Sequence, residues 1–331
     1  MEQPYQKKYP QLMAGKTILY VHGFGSAGST HTAQLLRELM PQATVIAPDL
    51  PLHPSEAMEL LHSVCTEQQP QLIVGTSMGG MYAEMLYGYD RIVVNPAFEM
   101  GDTMAKHGMV GKQSFQNPRQ DGVQEFIITK ALVKEYKEIT EQCFTGITPS
   151  EQQHVYGLFG DADPVVHCYD LFKEHYPQAL YFHGEHRLNE KVVMHALLPV
   201  VRWIDDRQEG RERKIIYIDR SALIDSRNMP KASLMKAIEF LLEFYDIYFV
   251  APAPTGNCEE IDHMQQWAEQ HLSTIAWNRV IYTQHKQLLY GEYLIAGNAC
   301  PNFMGTCLEL GSANFKTWEE VITFFSRLGG Q

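Results

Sequence analysis

The stretch Leu72–Gly80, LIVGTSMGG, decides the fold of the first half of the chain. Its apolar run, Leu72–Val74, is typical of a buried strand and passes directly into Gly75–Gly79, after which a helix-like tract begins. A strand, a tight turn and a helix around Gly-x-Ser-x-Gly form a nucleophile elbow, where glycines are needed because side chains would collide beside so sharp a turn. The motif predicts Ser77 as a catalytic nucleophile projecting above the sheet. In the alternative interpretation, Ser77 only caps the helix.

A second glycine-rich loop lies earlier in the chain, where the strand-like run Thr17–Val21 leads into His22–Gly28. In a hydrolase of this pattern, backbone N–H groups from such a loop and from the residue after the nucleophile stabilise the oxyanion. We therefore expect donors from Met78 and from either Phe24 or Gly25. The alternative is an ordinary strand-to-helix turn.

Composition narrows the class of protein. The 331 residues include 27 basic and 39 acidic ones, the formal charge is −12, and no basic run is interleaved with aromatics, so nucleic-acid binding is not expected. No apolar stretch reaches the roughly 18 residues of a membrane span, and the chain starts without an apolar signal segment, which predicts a cytoplasmic protein. The six cysteines show no Cys-x-x-Cys pair and are interpreted as reduced packing residues. The histidines lack ligand spacing, so neither a metal nor another cofactor is expected.

Strand-like and helix-like segments alternate through the first two hundred residues. The strand-like runs lie at 17–21, 44–47, 72–75, 91–94, 155–159 and 179–182. Helical tracts such as His31–Met40 and Ser55–Gln68 separate them, and this alternation predicts an α/β fold with a mostly parallel sheet and helices on both faces. An insertion at about 98–153 breaks the rhythm. Its helical tract near Val123–Cys143 is predicted to form a lid or, equally, to pack on the body of the domain.

A serine nucleophile also needs an orienting acid, which in this architecture follows the serine in the chain and precedes the histidine. The loop after the run 155–159 carries two candidates. Asp163 is the preferred acid and Asp161 the fallback, since a turn aspartate that hydrogen-bonds its own backbone would explain either carboxylate.

The base is expected in the loop after the run 179–182. His186 is the preferred base, with His183 and His195 as competitors, because His183 abuts the strand and His195 falls in the helix-like run Glu190–Trp203. In the predicted mechanism, His186 takes the proton of Ser77 while the acid holds the imidazole tautomer, and the serine attacks an acyl carbonyl.

Five segments together resemble the small bacterial YqiA/YcfP-like esterases of the α/β-hydrolase superfamily over about residues 16–205. These segments are Tyr20–Ser26, Gly75–Ala83, Val93–Ala97, the Gly160–Asp161 loop and Glu185–His186. The resemblance implies a compact α/β-hydrolase with a Ser, Asp and His triad that cleaves simple acyl esters or thioesters. The 98–153 insertion is larger and differently patterned than in that family, which leaves the pocket shape and the substrate open.

A charged run, Asp205–Lys214, has no apolar periodicity and predicts a linker at 206–213. It divides an esterase domain, 1–205, from a second domain, 214–331. A fresh strand-like run, Ile215–Ile218, opens the second domain, and strands and helices then alternate to the C-terminus. The pattern predicts a second α/β domain.

The second domain resembles the haloacid-dehalogenase (HAD) phosphatase superfamily and, within it, the cytosolic 5'(3')-deoxyribonucleotidases. The segments that carry the resemblance are Ile216–Asp219, Tyr245–Val250, Ala253–Pro254, Trp267, Arg279–Lys286 and Gly291–Ile295. The resemblance implies a Rossmann-like fold in which an Asp-x-Asp motif supplies nucleophile and acid. It also implies a hydroxyl residue, a lysine and a late acidic pair that holds magnesium.

Much of that machinery is missing here. Asp219 and Lys286 remain, but the second aspartate position is Ser221, the hydroxyl position falls near Ala251–Pro252, and the late acidic pair reads Ala296–Gly297. Magnesium would lack carboxylate ligands, and a serine is too weak an acid to protonate a leaving group. The domain is therefore predicted to be inactive. A magnesium-dependent phosphatase or nucleotidase is the alternative function, and a non-catalytic two-domain binding protein is another.

The role of an inactive second domain is open on the sequence alone: dimerisation in a homo-oligomer, ligand sensing and covering the esterase mouth are the candidates. The expected partner of the chain is a small-molecule acyl ester or thioester.

Overall fold

The computed structural model describes residues 8–256 and 258–329. The first seven residues, to which the expectation of no signal segment refers, lie outside the described residues. The chain divides into two compact units, Met1–Asp205 and Asp206–Gln331. Over the described ranges, no helix is both long enough and apolar enough to cross a membrane.

Eight strands belong to the first unit. In chain order they are β1 (Thr17–Val21), β2 (Thr44–Ile46), β3 (Leu72–Thr76), β4 (Arg91–Val94), β5 (Gly111–Ser114), β6 (Glu125–Ile128), β7 (Val155–Gly160) and β8 (Ala179–Phe182). Six of them form one parallel sheet in the order β2-β1-β3-β4-β7-β8. All of these strands therefore point their carboxyl ends to the same edge, where the loops after β1, β3, β7 and β8 meet.

Helices separate the strands of this sheet. They are α1 (His31–Leu39), α2 (Pro54–Gln68), α3 (Met78–Glu84), α4 (Met100–Lys106), α5 (Lys130–Thr140), α6 (Tyr169–His175), α7 (Glu190–Val192) and α8 (Leu198–Gln208). A π-helical turn, Val193–Leu197, joins the last two. The α/β fold class predicted from the alternation of segments is confirmed.

The insertion differs from its prediction in one part. Residues 125–128 are strand β6, paired antiparallel with β5, and the helix begins only at Lys130, where the Thr129 side chain caps the N–H of Leu132. The sequence Glu-Phe-Ile-Ile alternates exposed and buried side chains, which is the period of a strand. Helix α5 buries one face, including Tyr136, in the hydrophobic core of the unit, so it packs on the body.

The second unit contains a five-stranded parallel sheet in the order β11-β10-β9-β12-β13. Its strands are β9 (Ile215–Asp219), β10 (Asp246–Ala251), β11 (Val280–Tyr282), β12 (Tyr293–Ala296) and β13 (Thr306–Glu309), and its helices are α9 (Arg220–Leu223), α10 (Leu234–Leu241), α11 (Glu259–His271) and α12 (Trp318–Arg327). The sheet is the Rossmann-like arrangement expected for this half. Helix α8 runs on to Gln208, so the start of the predicted linker is helical.

Candidate active site

Ser77 occupies the turn between β3 and α3 with φ 55° and ψ −121°, a conformation that costs strain for a non-glycine residue. A side chain on Gly75 would overlap the carbonyl of Gly79, and one on Gly79 would overlap the carbonyl of Val21. The two glycines of the motif are therefore required by close packing. The turn presents the serine hydroxyl at the carboxyl edge of the sheet.

The side chains of Ser77, His186 and Asp163 form one hydrogen-bonded chain. Nε2 of His186 lies 3.0 Å from the Ser77 Oγ, and Nδ1 of His186 lies 2.7 Å from Oδ2 of Asp163. The Asp163 side chain is 1% exposed, and its Oδ1 accepts from the backbone N–H of Val165 at 2.7 Å. Among the described residues, the Ser77 side chain makes no helix-capping bond. The arrangement can therefore transfer a proton from the hydroxyl to the imidazole.

The fallback residues form a second His–Asp pair beside the first. Nδ1 of His183 lies 2.9 Å from Oδ2 of Asp161, and Oδ1 of Asp161 accepts from the N–H of Gly184 at 3.0 Å. The side chains of His183 and Asp161 are 65% and 44% exposed, against 19% for His186. The fallback acid thus holds the competing histidine. His195 lies in the π-helical turn between α7 and α8.

The glycine-rich loop after β1 lies directly against the serine. A Cβ placed on Gly23 would be 3.3 Å from the Cβ of Ser77, so only a residue without a side chain allows this approach without displacement. His22 anchors the loop from below: it is 2% exposed, its Nδ1 lies 2.8 Å from the Gly23 carbonyl oxygen, and its Nε2 accepts from the N–H of Leu50 at 3.1 Å.

The protonation of His22 follows from these contacts. A backbone N–H only donates, so Nε2 is the acceptor and the ring proton sits on Nδ1, from where it is donated to Gly23. Burial lowers the pKa of His22 below its ordinary 6.5, so the ring is neutral at neutral pH. The loop is thereby held by a fixed tautomer.

The insertion contacts the same loop. The backbone N–H of Gln116 donates to the Gly25 carbonyl at 2.8 Å, and the ring of Phe24 makes edge contacts with Phe126 on β6 and Tyr136 on α5. These contacts join the predicted lid to the loop that borders Ser77.

A second group of polar side chains lies in the second unit, at the carboxyl end of β9. The carboxylate of Asp219 accepts hydrogen bonds from the backbone N–H of Ser221 at 2.9 Å, from the Ser221 hydroxyl, and from Lys286 Nζ at 3.1 Å. The Ser221 oxygen in turn accepts from the N–H of Gly297 at 2.8 Å. Asp219, Ser221, Lys286 and Gly297 are thus joined in one hydrogen-bonded group.

These residues border a cavity of about 540 Å³, which Asp225 and Asn298 also line. Asp225 accepts from Arg227 and from the backbone N–H of Met229, so its charge is already compensated. Magnesium prefers several carboxylate oxygens, and here the positions of the second aspartate and the late acidic pair supply only the hydroxyl of Ser221. The donor set does not fit magnesium.

The comparisons with known proteins concern the two halves of the chain separately. Residues 17–182 match the family described as "Uncharacterised protein family (UPF0227)". The chain belongs to UPF0227. The match confirms the resemblance inferred from the motifs of the first half.

The UPF0227 chain is also similar to a protein of Vibrio phage KVP40 whose name places it with the 5'(3')-deoxyribonucleotidases. The two are 30% identical over 127 residues, which are 38% of this chain and 71% of the phage protein. This similarity supports the resemblance of the second half.

Two solved structures are similar to part of the chain. The N-acyl homoserine lactonase AidH is 14% identical, with a TM-score of 0.38 and coverage of 59% of this chain and 92% of the lactonase. A marine microorganism esterase is 19% identical, with a TM-score of 0.36 and coverage of 59% of this chain and 95% of the esterase.

One residue of the UPF0227 site had no role in the sequence analysis. Asn95 follows β4 with φ 44° and is 2% exposed; its amide nitrogen donates to the carbonyls of Glu185 and His186, both at 3.1 Å, and its oxygen accepts from Gly160 at 2.7 Å. It ties the histidine loop to the strand that precedes the acid loop. An asparagine before a proline at a strand end is the local signal that could have found it.

Proposed function

We propose that the chain is a serine hydrolase that cleaves a carboxylic ester or thioester of a small acyl substrate through an acyl-enzyme intermediate. The observation that carries the proposal is the hydrogen-bonded chain from the Ser77 hydroxyl through His186 to the buried Asp163. An activated serine requires a base within about 2.6–3.2 Å and a group that orients the base, and both are present.

In the acylation step, His186 Nε2 removes the proton of Ser77 as the oxygen attacks the carbonyl carbon. The Asp163 carboxylate accepts a hydrogen bond from Nδ1–H throughout, which keeps Nε2 facing the serine and stabilises the imidazolium. As the tetrahedral intermediate collapses, the same imidazolium gives its proton to the leaving alcohol or thiol. Water then repeats the sequence and releases the acid.

The oxyanion donors follow from the direction of two peptide groups. Met78 is the first residue of α3, so its N–H has no partner within the helix and sits at the positive end of the helix dipole. In a trans peptide the C=O and the next N–H point in opposite directions. Because His22 draws the Gly23 carbonyl toward itself, the N–H of Phe24 faces away from it. We assign Phe24, rather than Gly25, as the second donor.

The direct test of the proposed function is Ser77→Ala, assayed on p-nitrophenyl esters of increasing acyl length. We expect hydrolysis to fall by at least about 10⁴-fold, while the melting temperature changes little because alanine accepts the same backbone. Ser63→Ala is the matched control, since that serine lies on α2 and its side chain bonds, among the described residues, only to Glu67. Full ester hydrolysis by the Ser77→Ala protein would contradict the mechanism.

A further inference from the structure

Arg187 directly follows the proposed base and lies at the rim of the site. Its Nη2 donates to Oε1 of Gln116 at 3.0 Å, and Gln116 is itself bonded through its backbone to the Gly25 carbonyl. The guanidinium therefore reaches from the histidine loop toward the loop that supplies the proposed oxyanion donor. The side chain is exposed, so a ligand can reach it.

The charge of Arg187 differs in its pairing from those of Arg91 and Arg119. Arg91 pairs with Glu151, and Arg119 pairs with Asp121 while stacking on the ring of Phe115. Among the described residues, Arg187 has only the neutral amide of Gln116 as a hydrogen-bond partner and no carboxylate. Among the described residues, no carboxylate therefore neutralises the positive charge of Arg187.

The position of Arg187 also selects one side of the substrate. The histidine that accepts the serine proton later donates it to the leaving atom, so the base lies beside the leaving group. A residue that is next in the chain, exposed, and bonded to the segment that contacts the Gly25 carbonyl is placed to contact the leaving group.

We propose that Arg187 binds an anionic group, a carboxylate or a phosphate, carried by the leaving alcohol or thiol of the substrate. This inference rests on the proposed function. The guanidinium presents a planar fork of N–H donors that matches either anion through two parallel bonds. Gln116 holds the fork in place without neutralising it. Arg187 is thus a specificity-determining residue for the leaving group.

The test compares three butanoyl esters that differ in the charge of the leaving phenol: 4-hydroxybenzoate, 4-hydroxyphenyl phosphate and the uncharged 4-hydroxybenzamide. We expect the full-length protein to prefer one or both anionic esters in kcat/KM, and the preference to shrink as salt is added. Arg187→Gln should lower the ratio of anionic to neutral kcat/KM about tenfold and remove its salt dependence, and Arg187→Lys should restore part of it. The two anionic esters distinguish carboxylate from phosphate.

Two controls distinguish charge recognition by Arg187 from a purely structural role of its bond to Gln116. Gln116→Ala removes the partner of Arg187 but keeps its charge, so the ratio should persist. Arg37→Gln changes an arginine of α1 that bonds the Val45 carbonyl on β2, and it should leave the ratio unchanged. Loss of the ratio in Gln116→Ala, an equal loss on all three esters in Arg187→Gln, or no anionic preference in the unaltered protein would overturn the inference.

The failure of this inference is distinguishable from failure of the proposed function. If the unaltered protein cleaves the three esters equally, only the role of Arg187 is wrong. If it cleaves none of them and an uncharged fluorophosphonate does not label Ser77, the proposed hydrolase is wrong and the role of Arg187 falls with it.

Discussion

Each unit places a serine beside ionisable side chains at the carboxyl edge of a parallel sheet, and the two serines are used in opposite ways. The Ser77 hydroxyl faces the basic Nε2 of His186, which can remove its proton. The Ser221 hydroxyl donates to the carboxylate of Asp219, which Lys286 also holds. We expect a hydroxyl that faces a base to react and a hydroxyl that donates to a carboxylate to stay unreactive.

The comparison shows that two parallel sheets can place polar side chains at the same edge and bond them differently. In the second unit the strands still bring Asp219 and Lys286 together, but Ser221 and Gly297 now occupy positions where the resemblance implies carboxylates. In the first unit each polar group orients the next, and the series ends at the serine. The following predictions test whether this difference in bonding is a difference in activity.

The largest difference in activity is expected between variants of the two neighbouring His–Asp pairs. His186→Ala should lower ester hydrolysis by at least about 10⁴-fold, because the serine loses its base. His183→Ala removes the equivalent side chain of the exposed pair with Asp161 and should leave hydrolysis within about twofold, since a bond between such exposed groups contributes little. The measurement is the initial rate on a p-nitrophenyl ester. Equal losses in both variants would break the assignment.

Asp163→Asn and Asp161→Asn extend the same comparison to the acids. An asparagine at 163 offers an N–H to the imidazole and favours the wrong tautomer, so we expect a loss of about 10³- to 10⁴-fold there and little change at 161. A larger loss of activity in Asp161→Asn than in Asp163→Asn would identify Asp161 as the acid.

A smaller effect is expected when the oxyanion loop loses its anchor. In His22→Asn the amide nitrogen takes the position of Nδ1 and can still donate to Gly23, whereas in His22→Gln the amide takes the position of Nε2 and cannot. Each variant loses one buried hydrogen bond, about 1 kcal/mol of unfolding free energy. We expect kcat to fall about 10- to 100-fold in His22→Gln and far less in His22→Asn, with KM nearly constant. Equal kcat values at equal stability would show that His22 only supports the fold.

The same histidine predicts a pH dependence of stability. Burial lowers its pKa in the folded protein below the ordinary 6.5, so between those two values the unfolded chain binds more protons. The unfolding free energy should therefore fall as pH drops below about 6.5 and flatten below the folded pKa. Unfolding free energies measured by denaturant titration across this pH range should depend less steeply on pH in His22→Asn. An unchanged slope would mean that His22 contributes nothing to it.

No effect at all is expected in the second unit. With magnesium and p-nitrophenyl phosphate, we expect no turnover, because the carboxylates that would hold the metal are absent and Asp219 is held by Ser221 and Lys286. Asp219→Asn should leave ester hydrolysis unchanged. Magnesium-dependent turnover that disappears in this variant would make the second unit a working phosphatase.

The sequence predicted the parts of the site that are local. Ser77 could be found because the nucleophile elbow is a pattern of nine consecutive residues. The candidate acids and bases could be found because parallel strands share a carboxyl edge. The structure brings Asp163 to hydrogen-bonding distance of His186, and His186 to hydrogen-bonding distance of the serine. Their catalytic roles stay predictions.

Other features depend on contacts between distant segments. The bond from Leu50 to His22 and the bonds of Asn95 to the histidine loop join residues 28 to 91 positions apart, and no local pattern encodes them. Strand β6 was missed because only four residues carry its alternation and a strongly helical tract follows at once. The bond from Lys286 to Asp219 likewise joins residues 67 positions apart.

The central claim is that Ser77 is activated by its neighbours, and labelling of the full-length protein with an uncharged fluorophosphonate tests it without knowledge of the substrate. The adduct is mapped by mass spectrometry in the unaltered protein and in the His186→Ala and His183→Ala variants. We predict an adduct on Ser77 that is lost in His186→Ala and retained in His183→Ala. An unlabelled Ser77 in the folded, unaltered protein, or equal labelling of all three proteins, would contradict the account.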